Sequence, residues 1–206
     1  MGLEVKNLTF AFDKSDLFKS MSFKAKKNSV NLVSGASGIG KSTLLNIIAG
    51  LIKPDHGHIC LEGRVLNDKK FFVEPEYRNI GYVFQDFALF PHINAEKNMK
   101  YALSKGFDDL FKKTISALNL KDHLAKMPHE MSGGQQQRVA IARSILMKPS
   151  VLLLDEPFSN LDSENATRAQ SLITDIVRDL NIPCILVTHD SNHLNFLNIS
   201  QEIIIN

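Results

Sequence analysis

The sequence predicts an α/β fold with a mainly parallel sheet, and two observations carry that prediction. Val151–Leu154 is an apolar run without alternation, which is typical of a strand buried on both faces of a parallel sheet. Val30–Val33 is a second apolar strand, and a glycine-rich loop joins it to a helix predicted at about Lys41–Ala49. Further apolar strands are predicted at Ile80–Phe84 and Cys184–Thr188. Together these segments indicate a core of parallel strands with connecting helices.

Length and composition are those of an ordinary globular domain. The chain has 206 residues, enough for a large core, and 44% of them are apolar while 22% are charged. A net charge of +2 without a long basic run gives no reason to expect a nucleic-acid partner. No apolar stretch approaches the roughly 18 residues that cross a bilayer, so we expect neither a membrane span nor a signal segment. Cys60 and Cys184 are predicted to be two buried, reduced thiols.

The loop between the first apolar strand and its helix matches a phosphate-binding pattern. Residues 35–42 fit G-x-x-x-x-G-K-[ST] at every fixed position, between a predicted strand and a predicted helix. Glycines let successive backbone N–H groups point at a phosphate chain, and the helix N-terminus adds positive potential. Lys41 is predicted to reach the β- and γ-phosphates, and the Ser42 hydroxyl to ligate Mg²⁺. The residues assigned to the nucleotide are Gly35, Ser37, Gly38, Gly40, Lys41, Ser42 and Thr43.

Two acids follow the buried strand Val151–Leu154. Asp155 and Glu156 stand where the carboxyl ends of parallel strands carry the site of an α/β protein. We predict that Asp155 holds Mg²⁺, directly or through water. Glu156 is predicted to polarise the water that attacks the γ-phosphate. The alternative is an acidic pair that caps a helix.

The segment Pro128–Pro149 carries a second unusual pattern. Ser132 is a good N-cap residue, and Gln135 occupies the capping-box position before an apolar helix face. Gly133 and Gly134 are costly at a helix start unless another group approaches the backbone closely, and a phosphate is a natural candidate. Since the loop at residues 35–42 already provides one cradle, a second one makes sense if it serves the nucleotide of another copy.

The sequence Ser132-Gly133-Gly134-Gln135, preceded by Met131, resembles the signature motif of ATP-binding cassette (ABC) ATPases. Together with the loop at residues 35–42 and the acids at residues 155 and 156, the resemblance covers nearly the whole chain. It implies a P-loop NTPase core with an N-terminal antiparallel β part and an inserted helical subdomain. The core would span 1–85 and 149–206 of a single domain. Residues 86–148 would form the helical subdomain, with helices at 94–103, at 107–118 and from residue 132.

The resemblance implies four further roles. Gln85 is similar to the glutamine that senses Mg²⁺ and the γ-phosphate. His189 is similar to the switch histidine that contacts the γ-phosphate. Asp162 ends a segment, Ser159–Asp162, that is similar to the loop crossing the dimer interface. Phe12 stands where the family places an aromatic ring under adenine, with Phe10, or a core role for Phe12, as the alternatives.

The resemblance also implies partners and a location. Two copies of the chain are expected to close head to tail around ATP and Mg²⁺, so that each phosphate loop faces the partner's signature motif. A transmembrane permease and a solute-binding protein are expected to complete the system. The chain would lie on the cytoplasmic face of the inner (cell) membrane as a peripheral subunit, with the helical subdomain docked on the permease.

The segment Pro75–Leu103 looks like the importer branch for molybdate, sulfate, iron or polyamines, with a lean towards molybdate. Two alternatives stay open: an exporter or lipoprotein-releasing ATPase, and a soluble cassette protein without a transport role. Importers of this branch usually continue into a regulatory C-terminal domain, which is not expected within these residues.

Overall fold

The protein is described here from a computed structural model, which covers residues 2–12, 15–101, 103, 108–189, 194 and 196–205. The strands are β1 Leu3–Phe12, β2 Ser15–Ala25, β3 Ser29–Ser34, β4 His56–Leu61, β5 Arg64–Asn67, β6 Ile80–Val83, β7 Val151–Asp155, β8 Pro183–Val187 and β9 Ile199–Ile204. The helices are α1 Lys41–Ala49, α2 Ala95–Lys100, α3 Asp108–Ala117, α4 Gly133–Leu146 and α5 Ser163–Asp179. Short 3₁₀ turns occupy Pro75–Tyr77, Lys121–His123 and Pro128–Glu130.

The strands form two sheets of different kinds. Strands β6, β7, β8, β3 and β9 lie side by side in that order, and all their pairings are parallel. Strands β2, β1, β4 and β5 form an antiparallel sheet. The predicted mainly parallel core and N-terminal antiparallel part are therefore confirmed.

The apolar strand β7 separates two parts of the core. Leu152 and Leu154 pack with α5 and with α2, α3 and α4, the helices inserted between β6 and β7. Val151 and Leu153 face the other way and pack with α1 and the antiparallel sheet. Because both faces are covered, the strand needs no polar alternation, which is the reason that the unbroken apolar run predicted it. No helix in the described part of the chain is long and apolar enough to span a bilayer.

Several predicted boundaries shift in the structure. Helix α1 has the predicted bounds, but β6 ends one residue early. Helix α2 begins one residue late because Asn94 is its N-cap, and it ends at Lys100 rather than at residue 103. The predicted start of the next helix, Phe107, lies outside the described residues. The prediction of two buried thiols is half wrong, since Cys184 is buried whereas Cys60, on β4, is partly exposed.

A buried arginine holds the C-terminal end of α1. Arg78 is almost fully buried and donates to the carbonyls of Ile47 and Ile48 at 3.1 and 2.8 Å, and to that of Val73 at 2.7 Å. Burial lowers the pKa of Arg78 to about 10, so its side chain stays charged at neutral pH. These bonds satisfy carbonyls that a helix end leaves without partners. They hold the C-terminal end of α1 in place, and the N-terminal end of the same helix follows the phosphate loop.

Candidate functional site

The glycine-rich loop runs from the carboxyl end of β3 into the first turn of α1. Gly40 is the N-cap of α1 with φ +107°, and a Cβ at this position would lie 2.8 Å from a methyl carbon of Leu17. Glycine is therefore required there for both conformation and space. No side chain caps the first turn of α1. Its N–H groups and the helix dipole can therefore serve an anion.

Lys41 is held within this loop. Its side chain is almost fully buried, and its Nζ donates to the carbonyls of Gly35 and Ala36, both at 2.8 Å. An ammonium group has three N–H donors, so one remains for another acceptor. The lysine thus braces the loop and places positive charge inside it.

Asp155, the last residue of β7, is 4% exposed. Burial raises the pKa of Asp155, while a hydrogen bond from the Ser42 hydroxyl and the charges of Lys41 and His189 act in the opposite direction. Its Oδ1 is buried and has no hydrogen-bond partner among the residues that the structure describes. A buried carboxylate oxygen that lacks a partner, next to a hydroxyl, fits the oxygen ligands that Mg²⁺ prefers.

Glu156 adopts a backbone conformation that is unusual for its residue type. Its φ is +50°, in the left-handed region. Its N–H donates to the carbonyl of Val187 at 2.9 Å, and its carbonyl accepts from Gln137 Nε2 at 2.8 Å and Ser159 Oγ at 3.1 Å. The carboxylate meets His189: Oε2 accepts from the backbone N–H at 3.3 Å, and Oε1 lies 3.4 Å from Nε2 without a hydrogen bond. The strained backbone therefore turns this carboxylate towards the histidine.

These elements enclose one cavity of about 250 Å³ at the carboxyl edge of the parallel sheet. The loop after β3, the segments after β6 and β8, and the end of β7 all reach it, because these strands are neighbours in the order β6, β7, β8, β3. The lining residues are Ser37, Gly38, Gly40, Lys41, Ser42, Thr43, Gln85, Asp155, Glu156, Val187 and His189. The structure thus brings together the predicted metal and catalytic residues and the predicted residues of the phosphate loop other than Gly35, whose carbonyl accepts from Lys41.

The predicted second cradle lies elsewhere in the chain. Ser132 caps α4: its Oγ accepts from the Gln135 N–H at 3.3 Å, and Gln135 Oε1 accepts from the Ser132 N–H at 3.1 Å. This is the predicted capping box. Residues 132–135 do not line the cavity of the phosphate loop. Within one chain, the phosphate loop and the predicted second cradle are therefore separate.

Glycine occupies position 134 for a reason that the sequence pattern did not indicate. A Cβ on Gly134 would lie 2.6 Å from the carbonyl oxygen of Asn160, so the turn after β7 requires glycine there. Outside the backbone of its own helix and its chain neighbours, the nearest described atom to a Cβ on Gly133 would be Asn160 Oδ1 at 3.5 Å. The close approach inferred for both glycines is thus made at Gly134 by the chain itself, and room for an external group is left at Gly133.

Asp162 and Phe12 occupy defined positions outside that cavity. Asp162 is the N-cap of α5, and its carboxylate accepts from the backbone and side-chain N–H groups of Asn165 at 2.8 and 2.7 Å. These bonds lower its pKa. Phe12 ends β1 and is 65% exposed, so a core role for Phe12 is wrong. Phe10, by contrast, packs against the core beneath the antiparallel sheet.

Sequence reasoning missed two residues of α4 that support the site. Gln137 is fully buried and contacts the turn after Glu156. Arg143 donates to the carbonyls of Phe87 and Ala88 at 3.0 and 2.7 Å, just beyond Gln85. Both residues are polar and stand among the apolar positions of this helix. Such a pattern in the sequence suggests buried hydrogen bonds.

Comparison with known proteins agrees with this architecture. The chain belongs to the ABC transporter family, whose model matches residues 18–159. It is 41% identical over 169 residues to the molybdenum import ATP-binding protein ModC of Escherichia coli (strain K12), a match that covers 81% of this chain and 48% of that protein. The ModC protein of Shigella flexneri gives the same values. The chain spans about half the length of the curated relatives it matches.

Solved structures share the fold over almost the whole chain. The dimeric structure of MJ0796, a bacterial ABC transporter cassette, superposes with a TM-score of 0.84 at 28% identity, covering 98% of this chain and 94% of that one. A dimeric post-hydrolysis state of the same cassette, bound to ADP and Pi, gives a TM-score of 0.83 at 28% identity, with 99% and 94% covered. The predicted ABC ATPase fold is confirmed.

Proposed function

We propose that the chain is the ATP-hydrolysing subunit of an ABC importer, and that two copies close around ATP to drive solute uptake through a separate permease. The cavity at the carboxyl edge of the sheet carries this proposal. It places a braced lysine, a hydroxyl, a buried carboxylate with one unpaired oxygen and a carboxylate–histidine pair around one space. That set suits phosphoryl transfer from a nucleoside triphosphate to water.

The loop and its neighbours would hold the triphosphate and its metal ion. The N–H groups of the first turn of α1 and the free donor of Lys41 would bind phosphate oxygens. Ser42 and Asp155, with Gln85 of the same cavity, would hold Mg²⁺. The metal ion would offset the negative charge of the phosphates and orient them.

Glu156 and His189 would act on the reacting groups. The carboxylate of Glu156 would orient the attacking water and accept its proton, because it lines the cavity and faces His189. His189 Nε2 would donate to the γ-phosphate, since in the neutral ring that nitrogen can carry the proton. In-line attack then breaks the bond between the β,γ-bridging oxygen and the γ-phosphorus, and yields ADP and phosphate.

A second copy would complete each site. Residues 132–135 do not line the cavity of their own chain, and Gly133 has room above it. The similar cassette forms a dimer. We place Ser132, Gly133 and Gln135 of each copy on the phosphates held by its partner, and Asp162 at the same interface. Phe12, exposed at the end of β1, would stack on adenine.

An apolar groove offers a place for the permease. It has a volume of about 320 Å³ and is lined by residues from the end of α1, from β6 and the segment after it, and from α4. Leu51 and Tyr101 line it and are 50% and 70% exposed, respectively. Residues 86–148, the proposed helical subdomain, contribute one of its walls. Docking here would hold the subunit on the cytoplasmic face of the membrane, with a solute-binding protein supplying cargo on the other side.

The curated relatives guide the choice of cargo. Proteins 41% identical to this chain are named for molybdenum import. We therefore propose an oxyanion of the molybdate type as the transported solute, rather than the cargo of an exporter. The sequence pattern of Pro75–Leu103 agrees with this direction of transport.

Hydrolysis measured with and without the permease tests the proposal. The purified chain should hydrolyse ATP only with Mg²⁺, and its permease should stimulate turnover. Leu51→Asp should leave the basal rate unchanged and abolish the stimulation, because a carboxylate would enter the apolar groove. Phe71→Asp is the matched control, since Phe71 is similarly exposed but lies outside the groove. A wild-type chain without hydrolysis, or equal stimulation of both variants, would contradict the assignment.

A further inference from the structure

A buried glutamine joins α4 to the turn that follows β7. Gln137 is fully buried, and both ends of its side-chain amide are used. Its Nε2 donates to the carbonyl of Glu156 at 2.8 Å, and its Oε1 accepts from the backbone N–H of Asn160 at 2.9 Å. One side chain therefore fixes two points of the same turn. The loss of either bond would leave a buried polar group without a partner, which costs free energy. The two bonds together therefore define the position of this side chain.

The first of these bonds acts on a residue of the cavity that has a left-handed backbone conformation. Glu156 has φ +50° although it is neither glycine nor asparagine, and such a conformation persists only where the surroundings enforce it. Gln137 and Ser159 together hold its carbonyl, while Val187 holds its N–H. The orientation of these two peptide groups determines where the carboxylate points, and here it points at His189.

The second bond ties the same turn to the start of α4. Asn160 is held by Gln137, and its carbonyl leaves no space for a Cβ on Gly134. Helix α4 therefore contacts the turn at two positions, Gly134 and Gln137. A displacement of the first turn of α4 would therefore strain its contacts with the turn after β7.

We propose that Gln137 is a positioning residue for Glu156. It holds the left-handed backbone that aims the carboxylate, and it connects that residue to the helix start which would contact the nucleotide of the second copy. Gln137 does not line the cavity, and its bond to Glu156 is made to the backbone carbonyl rather than to the carboxylate. The inference rests on the proposed hydrolytic function and adds a route by which closure on one nucleotide sets the base of the other site.

Gln137→Met tests this role, since methionine retains the length of the side chain but removes its donor and acceptor. Turnover of ATP should fall about 100-fold, the size expected when a reacting group is misplaced by about 1 Å. The dissociation constant of ATP should stay within about twofold, because no phosphate contact is lost. Gln136→Met is the matched control, since Gln136 bonds the carbonyl of Met131 and not the turn.

A double variant separates positioning from general damage. If Gln137 acts only through Glu156, then Gln137→Met should lower turnover no further in a Glu156→Gln chain. Multiplied losses, or normal turnover in Gln137→Met, would overturn the inference. Should Gln137→Met fail to fold, Gln137→Asn retains the amide but is one methylene too short to reach both Glu156 and Asn160. By itself it should lower turnover, and in the Glu156→Gln chain it should cause no added loss. If Glu156→Gln alone leaves turnover intact, the role of Glu156 as the base fails, whereas a wild-type chain without hydrolysis contradicts the proposed function, so the failures are distinguishable.

Discussion

Glu156→Gln is expected to lower ATP turnover by about 10² to 10⁴-fold while the affinity for ATP stays within about twofold. The amide retains the size and the hydrogen-bonding reach of the side chain, but it cannot accept the proton of the attacking water. The phosphate contacts come from the loop at residues 35–42, which the substitution leaves unchanged. The measurements are steady-state hydrolysis and nucleotide binding by the purified variant.

Glu164→Gln is the control for this substitution. Glu164 is an exposed carboxylate at the start of α5, where it pairs with Arg168 in solvent. Its replacement should change turnover by less than about twofold, because exposed pairs contribute little. Turnover by Glu156→Gln at the level of this control would exclude Glu156 as the base.

Mixing two inactive variants is expected to restore hydrolysis. Lys41→Ala removes the lysine from the phosphate loop, and Ser132→Arg blocks the start of α4. In a mixed dimer, one site combines both defects, while the other combines the intact loop of one copy with the intact helix start of its partner. Equal amounts that pair at random should recover about a quarter of wild-type turnover. The measurement is hydrolysis by the two proteins separately and after co-purification.

Ser116→Arg provides the matched comparison, since Ser116 is exposed on α3. It should be as active as the wild type by itself, and its mixture with Lys41→Ala should follow simple dilution. If Lys41→Ala and Ser132→Arg stay inactive when mixed, the helix start acts within its own chain, and the proposed exchange between copies is wrong.

Local patterns predicted a large part of the site. The loop at residues 35–42 could be identified because its glycines, lysine and hydroxyl occur at fixed spacing between a strand and a helix. The capping box of Ser132 and Gln135 could also be predicted, since both partners lie within one turn of the helix. The parallel strands were predicted because each is covered on both faces and therefore carries no polar alternation.

Contacts between distant segments could not be predicted from these patterns. Gln137 and Asn160 are 23 positions apart, and their bond exists only because α4 lies over the turn after β7. Gly134 owes its lack of a side chain to the same packing. Arg78 was missed because a charged residue is expected at the surface, whereas here the carbonyls at the end of α1 keep it buried.

A structure of the Glu156→Gln variant with bound ATP and Mg²⁺ tests most directly whether two copies share each nucleotide. We expect a head-to-tail dimer in which the γ-phosphate beside Lys41 of one copy accepts a hydrogen bond from Ser132 of the other, at about 3 Å. ATP bound in the phosphate loop with the Ser132 residues of both copies remote from every phosphate would contradict this arrangement.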